Sequence, residues 1–290
     1  MASGRAPAHW GRDIRDRVRV RMTRRTLPAL LHAGVVLSAA PALAEISPEE
    51  LAKATQNPVA DLISVPFQNN IDFGVGPKDN VQNILKIQPV IPIDAGDRFN
   101  VITRTILPIA SSPTIEPGDN RKSGLGDTTV TAFLAPKGGS FVWGLGPIVN
   151  IPTATDNQLG NKRWGLGPSL VVITMPGDWV AGALLSNVWD IGGDGNNKTN
   201  LFTLQPIINY NLPDFYLTAT PLVTANWENS SDDTWTVPVG GGVGKVWKLG
   251  GPPINTQIQA FYNVEKPRGS AQWQLRLQVQ LLFPKKKKLQ

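Results

Sequence analysis

The sequence contains no cysteine, and its only two histidines, His9 and His32, lie within the first 44 residues. Residues 45–290 therefore lack the side chains needed for a Ser–His–Asp or Cys–His nucleophile and for a metal site with imidazole or thiolate ligands. We expect no enzyme activity, no cofactor and no metal site from a chain with these absences. Without cysteine, disulfides give no information about the compartment in which the protein works.

Excess charge is also missing from most of the chain. The net charge of +6 comes from residues 1–44, which are rich in arginine, whereas residues 45–290 contain equal numbers of acidic and basic side chains. A nucleic-acid-binding protein carries a basic surface on its folded part. We therefore expect no nucleic-acid partner.

The first 44 residues have the features of an export leader. Arg24 and Arg25 precede an apolar run, and residues 42–44 (ALA) provide a small-residue cleavage site, which is the pattern of a secretory signal peptide. We expect translation to start at Met22 and the signal peptide to be cleaved after Ala44. A transmembrane helix is the alternative, and it is disfavoured because the run is short and rich in small residues.

Long apolar runs are absent after this leader, where no segment has the roughly 18 uninterrupted apolar residues of a membrane-spanning helix. Such a chain can enter a membrane only as a closed β-barrel, because in lipid every backbone hydrogen bond must be satisfied internally. Glycine and proline are abundant, with 28 and 25 residues, and only 17% of the residues are charged. This composition argues against a coiled coil or a helical bundle.

Residues 45–61 are the one later stretch with helical character. Ser47 is a suitable N-cap, and Glu50 follows it three residues later, which is the pattern of a capping box. Pro58 should end the helix after about two turns. We expect a short helical segment that could partly plug the structure that follows.

The remaining sequence alternates between apolar and polar side chains in the manner of β-strands. In residues 273–281 every second side chain is apolar and those between are Gln or Arg. A period of two indicates a strand with one apolar and one polar face. Twelve such segments are predicted: approximately 62–75, 82–93, 98–109, 126–136, 140–151, 163–174, 178–190, 200–211, 214–227, 235–247, 254–265 and 272–283.

The connections between these segments alternate between short turns and longer polar loops. An even number of strands joined in this way, with both ends in the periplasm, is typical of an outer-membrane barrel. We predict an all-β fold, an antiparallel transmembrane β-barrel of about 12 strands over residues 62–283, followed by a basic tail, residues 284–290. A secreted β-sandwich is the alternative, and it would need its apolar faces buried between two sheets.

Prolines inside predicted strands are the main objection, because each removes a ladder hydrogen bond. Five lie on the apolar phase, and we interpret them as bulges or bends that face the membrane: Pro89, Pro147, Pro168, Pro206 and Pro221. Glycines recur on the opposite phase, where they leave space for a solute or for the amino-terminal segment, or relieve curvature of the sheet. Tryptophans cluster near the strand ends, as in the aromatic girdles of membrane barrels.

Charged side chains also fall on the phase opposite to the apolar one and would line the interior. These candidates are Asp72, Lys86, Arg104, Arg163, Glu228 and Arg276. A charge on the lipid face at mid-depth costs about 2 to 4 kcal/mol, whereas the interior can solvate or pair it. Two interpretations stay open, a charged selective passage and a salt-bridged interior that only holds the barrel together.

Five segments carry a resemblance to a known family: residues 56–70 (QNPVADLISVPFQNN), 152–156 (PTATD), 225–228 (ANWE), 237–245 (VPVGGGVGK) and 273–285 (WQLRLQVQLLFPK). In these segments the chain resembles the proteobacterial outer-membrane family described as the putative MetA-pathway of phenol degradation, whose members are often labelled "transporter" or "neuromedin U". The resemblance implies an outer-membrane barrel in a Gram-negative bacterium. It also implies uptake of small solutes, with aromatic or hydrophobic compounds among them, and it supplies no catalytic residues.

Our hypothesis from sequence is an outer-membrane channel or transporter for small solutes. The partners expected for it are outer-membrane lipid and lipopolysaccharide, the barrel-assembly machinery and the small-molecule solute. The alternative is a structural or surface-interaction barrel without transport. An enzyme barrel with a histidine-dependent site is disfavoured because residues 45–290 contain no histidine.

Overall fold

A computed structural model describes residues 47–113, 121–139, 141–195 and 198–284. The predicted leader, residues 1–44, and residues 285–290 of the predicted tail lie outside the described residues. In the described part of the chain, no helix has both the length and the apolarity needed to cross a membrane.

The predicted helix is present as α1 (Pro48–Thr55), and its capping box is formed. The backbone N–H of Glu50 donates to Oγ of Ser47 at 3.0 Å, and the backbone N–H of Ser47 donates to Oε2 of Glu50 at 3.2 Å. These two bonds satisfy donors that would otherwise be orphaned at the helix start. The helix ends at Thr55, before Pro58 is reached.

All strands belong to one antiparallel sheet, which closes on itself. Its members are β1 (Leu62–Val75), β2 (Asn80–Ile87), β3 (Val90–Asp94), β4 (Phe99–Ser112), β5 (Lys122–Leu125), β6 (Thr128–Pro136), β7 (Phe141–Ile151), β8 (Arg163–Thr174), β9 (Trp179–Gly193), β10 (Asn200–Asn211), β11 (Tyr216–Ala219), β12 (Val223–Asn226), β13 (Trp235–Trp247), β14 (Ile254–Glu265) and β15 (Trp273–Pro284). Three pairs of segments, β2 and β3, β5 and β6, and β11 and β12, each form one interrupted strand. The predicted barrel of twelve strands is therefore confirmed.

Closure occurs between the first and last strands. β1 and β15 pair over twelve residues, from Leu62 opposite Pro284 to Phe73 opposite Trp273. Pairing of β9 with β10 completes the ring on the other side. Because the described strands leave no edge of the sheet open, the barrel avoids the unpaired backbone groups that lipid does not tolerate.

The two ends of the barrel differ in their connections. At the turn end, the chain reverses in residues 95–98, 137–140, 175–178, 212–215 and 248–253, and both β1 and β15 have their outer terminus there. At the loop end, β1 is joined to β2, β4 to β5, β7 to β8, β9 to β10, β12 to β13 and β14 to β15. The first of these, residues 76–79, is a tight turn in which Gly76 and Asp79 both adopt positive φ.

Apolar side chains cover the outer face, with tryptophans near the strand ends. Exposed tryptophans are Trp164, Trp179, Trp189, Trp227, Trp235, Trp247 and Trp273. Two of them pack against tyrosines of neighbouring strands with the rings inclined to each other. The ring centroids are 4.8 Å apart for Trp179 and Tyr210 and also for Tyr262 and Trp273. This arrangement matches the aromatic girdles that hold a barrel at the two membrane interfaces.

The five prolines expected to bend the wall fall into two groups. Pro89 and Pro221 lie where β2 gives way to β3 and β11 to β12, so they do interrupt strands. Pro147, Pro168 and Pro206 lie inside continuous strands, and the first two face each other across β7 and β8. The interpretation as bends therefore applies to two positions, and at the other three the strand continues.

Glycine precedes proline in two of these continuous strands, and the spacing there is tight. Pairing of β8 with β9 is interrupted between Leu166 and Ser169. A Cβ placed on Gly167 would lie 1.6 Å from the carbonyl oxygen of Asn187. That carbonyl therefore occupies the space that a side chain at residue 167 would need.

An ion pair links two connections at the loop end. Asp233 accepts hydrogen bonds from the backbone N–H of Arg268 at 2.7 Å and from Nη2 of the same arginine at 2.7 Å. Both residues lie outside the strands. These hydrogen bonds to Arg268 lower the pKa of Asp233 from its ordinary value of 3.8 to about 2.

Acid should release this link between the two loops. A carboxylate whose pKa is lowered by folding stabilises the folded form above its ordinary pKa, and this contribution is lost as the pH falls through the lowered value. We expect cleavage of residues 227–234 by pepsin to rise as the pH falls from about 4 to about 2. An R268Q variant should already be cleaved at the upper end of that range, and equal cleavage of both proteins at every pH would contradict the prediction.

Candidate binding site in the barrel interior

The interior is polar where β14, β15 and β1 meet. The period of two places one residue in two on the inner face, and on these strands the inner positions are mostly amides. They include Gln68, Asn70, Gln257, Gln259, Gln274, Gln278 and Gln280. Asn70 and Gln259 are buried, and their neighbours supply hydrogen-bond partners that compensate for desolvation.

Arg276 is the central cation of this face and is only 4% exposed. Its Nη1 donates to the backbone carbonyl of Thr220 at 2.8 Å, and its Nη2 donates to Oε1 of Gln274 at 3.1 Å. The guanidinium lies over the ring of Phe261, 4.7 Å from the centroid. Such a cation–π contact helps to hold a desolvated charge.

Thr220 lies in the interruption between β11 and β12, so side chains replace its missing strand partners. Its carbonyl is bound by Arg276, and its backbone N–H donates to Oε1 of Gln259 at 3.3 Å. Pro221 follows directly and cannot donate to a ladder. Side chains of the inner face therefore satisfy backbone groups that the interrupted strand leaves without ladder partners.

Asp72 is the acidic partner of this group. Its Oδ1 accepts a hydrogen bond from Nε2 of Gln274 at 2.8 Å, and Gln274 in turn accepts from Arg276. The carboxylate and the guanidinium are thus joined through one amide. Coulombic attraction acts on both Arg276 and Lys86 from this carboxylate.

Arg104 approaches from the β4 side of the interior. Its Nη2 donates to Oε1 of Gln88 at 2.6 Å. Gln88 then donates to Gln68, and Gln68 donates to Asn70, at 3.3 and 3.1 Å. The amide chain holds Arg104 in place while adding no negative charge.

Three of the four predicted residues in this region are therefore cations that act on one another. Lys86 is repelled by both Arg104 and Arg276, and Arg276 is repelled by Arg104. Asp72 offsets only one of the three charges. Together, these four side chains leave an excess of positive charge in the interior, where the surrounding protein strengthens electrostatic effects.

The other two predicted residues lie at the loop end. Arg163 forms an ion pair with Asp190 through both Nε and Nη2 and donates to the carbonyl of Gly195. Its charge is thereby paired at the rim. Glu228 is exposed in the connection after β12, where its N–H donates to Asn226. The structure thus brings Asp72, Lys86, Arg104 and Arg276 together and places Arg163 and Glu228 apart from them.

An apolar cluster fills the interior toward the turn end. Val59, from the segment between α1 and β1, packs there against side chains of the barrel wall: Ile102, Phe133, Ala135, Val171, Ile173, Val180, Leu184 and Ile207. A Cβ on Gly144 would lie 3.1 Å from Val59, so this glycine leaves space for the amino-terminal segment. The interior is thus polar on one side and apolar on the other.

Further contacts hold the same amino-terminal segment. Leu51 of α1 is 1% exposed and packs with Leu62 of β1 and Leu282 of β15, where the first and last strands meet. The side-chain amides of Gln56 and Asn211 donate to each other, at 2.8 and 3.3 Å. Apolar burial and this reciprocal amide pair both fix residues 47–61 to the barrel.

A cavity of about 130 Å³ lies between this segment and the polar face. Residues 54–58 line one side of it, and Arg104 and Arg276 line the other, together with several glutamines. Ala60, Leu62 and Ile207 add apolar surface. The arrangement offers two guanidinium groups, amide hydrogen-bonding groups and an apolar wall to a small molecule.

Sequence reasoning did not identify two contributors to this site and one interior contact near it. Phe261 occupies the polar phase of β14, and that phase alone would have placed it inside. Thr220 acts through its backbone, which no side-chain pattern reveals. Tyr216 donates from Oη to Asn255 at 2.6 Å, and its ring fills the space before Gly244, where a Cβ would lie 2.3 Å from Cζ.

The chain matches a known protein family over most of its length. Residues 80–290 match the family described as "Putative MetA-pathway of phenol degradation". The chain belongs to this family. The resemblance found in the sequence is thereby confirmed. No curated protein matches this chain.

Solved structures similar to this MetA-pathway family member are outer-membrane barrels. An outer membrane channel from Pseudomonas putida F1 is 17% identical, with a TM-score of 0.58, and the match covers 77% of this chain and 94% of that one. The KdgM porin is 13% identical, with a TM-score of 0.44 and coverage of 76% and 99%. Outer membrane phospholipase A from Escherichia coli is 12% identical, with a TM-score of 0.41 and coverage of 80% and 96%.

Proposed function

We propose that this protein is an outer-membrane channel for small solutes, with aromatic or hydrophobic compounds among them. The observation that carries the proposal is the contrast between the two faces of a closed barrel. The outer face is apolar with aromatic girdles, and the inner face holds a cluster of charges beside a cavity. A lumen of this kind sets selectivity through its charges and its width. The family description and the channel from Pseudomonas putida F1 agree with the proposal.

The proposed location follows from the proposed function. Export would use the signal peptide of residues 22–44, cleaved after Ala44, and insertion would require the barrel-assembly machinery. In the outer membrane, lipid would contact the apolar outer face, and lipopolysaccharide would adjoin the loop end. We propose no catalytic role, although phospholipase A shares the architecture, because residues 45–290 contain no histidine.

Residues 47–61 act as a partial plug in this proposal. They contact the wall through Leu51, Gln56 and Val59 and border the cavity. Twelve strands give a barrel between the filled type of about eight strands and the open pores of sixteen or more. A short segment is therefore enough to narrow the passage at the turn end.

Conductance in planar bilayers tests the proposal. The refolded barrel should give discrete current steps, with a reversal potential in a KCl gradient that indicates preference for anions, because the interior cations exceed the acidic groups. An R104Q variant should shift the reversal potential toward zero, while an R268Q variant, altered on an exposed loop, should not. Silence from a folded barrel, identified by its heat-modifiable mobility, would favour the alternative of a structural barrel.

A further inference from the structure

The cavity beside Arg104 and Arg276 has the chemistry of a binding site for one class of solute. We infer that it binds the carboxylate group of a small organic anion of about single-ring size. This inference rests on the proposed function, since it names the solute class of the same passage. It is argued from the charge, an unpartnered donor and the volume of the cavity.

The charge of the site favours an anion. Arg104 and Arg276 both line the cavity, and Lys86 acts on Arg276 from nearby. Asp72 is held at a distance from the guanidinium by Gln274, which accepts from Arg276 and donates to the carboxylate. An incoming carboxylate would therefore meet cations that no acidic side chain of the described residues contacts directly.

An unpartnered donor indicates where that carboxylate belongs. Arg276 is only 4% exposed. Among the described residues, its Nε is buried and has no hydrogen-bond partner. A buried donor left without a partner is destabilising. Arg276 lines the cavity, and a carboxylate accepts two parallel hydrogen bonds from an arginine. A carboxylate that turned the guanidinium toward the cavity would satisfy this donor together with a neighbouring Nη.

Volume and lining limit the rest of the molecule. The cavity measures about 130 Å³, slightly less than the cavity of roughly 150 Å³ that is known to hold a benzene molecule, so one ring is the upper limit of size. Ala60, Leu62 and Ile207 offer apolar contact on the side away from the arginines. The site thus fits a compact anion with one charged end and one apolar end.

Binding of benzoate to the full mature protein in detergent tests the inference, with benzamide as an uncharged molecule of similar shape. Calorimetry should show saturable binding of benzoate and at least about tenfold weaker binding of benzamide, because benzamide has no negative charge to pair with the guanidinium groups. An R104Q variant should weaken benzoate binding by a similar factor. The R268Q variant, on the exposed loop, should bind as the wild type does.

A second variant protects the test against misfolding. Arg276 supports the wall at Thr220, so R276Q is judged only if its heat-modifiable mobility matches the wild type, and R104Q carries the test otherwise. Equal binding of benzoate and benzamide, or unchanged benzoate binding in folded R104Q, would overturn the inference. Anion-selective conductance without saturable benzoate binding would also overturn it, and the channel function would stand. Arginine-dependent benzoate binding by a barrel that conducts no current would support the site and refute the channel.

Discussion

Removal of residues 45–61 should raise single-channel conductance by at least about twofold, since conductance follows the free cross-section of the passage. In the complete chain, Val59 lies in the apolar cluster at the turn end and residues 54–58 border the cavity. Deleting them would leave space for water and ions. Planar-bilayer recordings of the shortened and complete mature chains give the comparison directly.

Two controls separate a plug from a general effect of truncation. Deletion of residues 285–290 shortens the chain at its other end and should leave conductance unchanged. A V59D variant keeps the length but places a carboxylate among apolar side chains, which costs several kcal/mol unless the segment leaves the cluster. It should therefore conduct like the deletion. Identical conductance for all four proteins would refute the plug.

The substitution G167A should lower the free energy of unfolding by about 3 kcal/mol, at the upper end of what overpacking costs. The carbonyl oxygen of Asn187 lies where the new methyl group must go, at 1.6 Å from the position of Cβ. Because that oxygen belongs to the backbone of β9, no side-chain rotation relieves the clash. The two strands must separate locally.

A glycine in open surroundings provides the matched control. No atom lies within 4 Å of a Cβ placed on Gly251, so G251A should leave stability within about 0.5 kcal/mol of the wild type. Samples heated to a series of temperatures before electrophoresis show the temperature at which the band of the folded barrel disappears. This temperature should be lower for G167A than for G251A and the wild type. A G167A protein as heat-resistant as G251A would show that the contact between β8 and β9 is looser than described.

The sequence was sufficient to predict the barrel because alternation with period two is a local property. Residues 273–281 show it without interruption, and β15 is found there. Strand boundaries were also recovered at Leu62 and Trp235, where turn residues mark the change. A bend at Pro221 was predicted, and β11 gives way to β12 there. The same prediction was wrong at Pro206, where the strand continues, since a proline on the apolar phase does not reveal whether the strand is interrupted.

The interior was only partly predictable. Asp72, Lys86, Arg104 and Arg276 lie on the phase that alternation assigns to the inside, and the structure brings them together. The apolar cluster around Val59 was not expected, because both phases of β8 are apolar near its end and alternation then carries no signal. Glu228 was assigned to the interior because of its phase. It lies beyond the end of β12, where the pleat of a strand no longer determines the direction of a side chain.

The hydrogen bonds to Thr220 have a consequence for how this sequence can evolve. Arg276 and Gln259 replace the ladder partners that are missing beside Pro221, so positions 221, 259 and 276 are not free to drift independently. We expect a homologue that replaces Arg276 also to have a continuous strand in place of Pro221. A homologue that keeps Pro221 should keep the positive charge of Arg276, because the break in the strand needs this hydrogen bond.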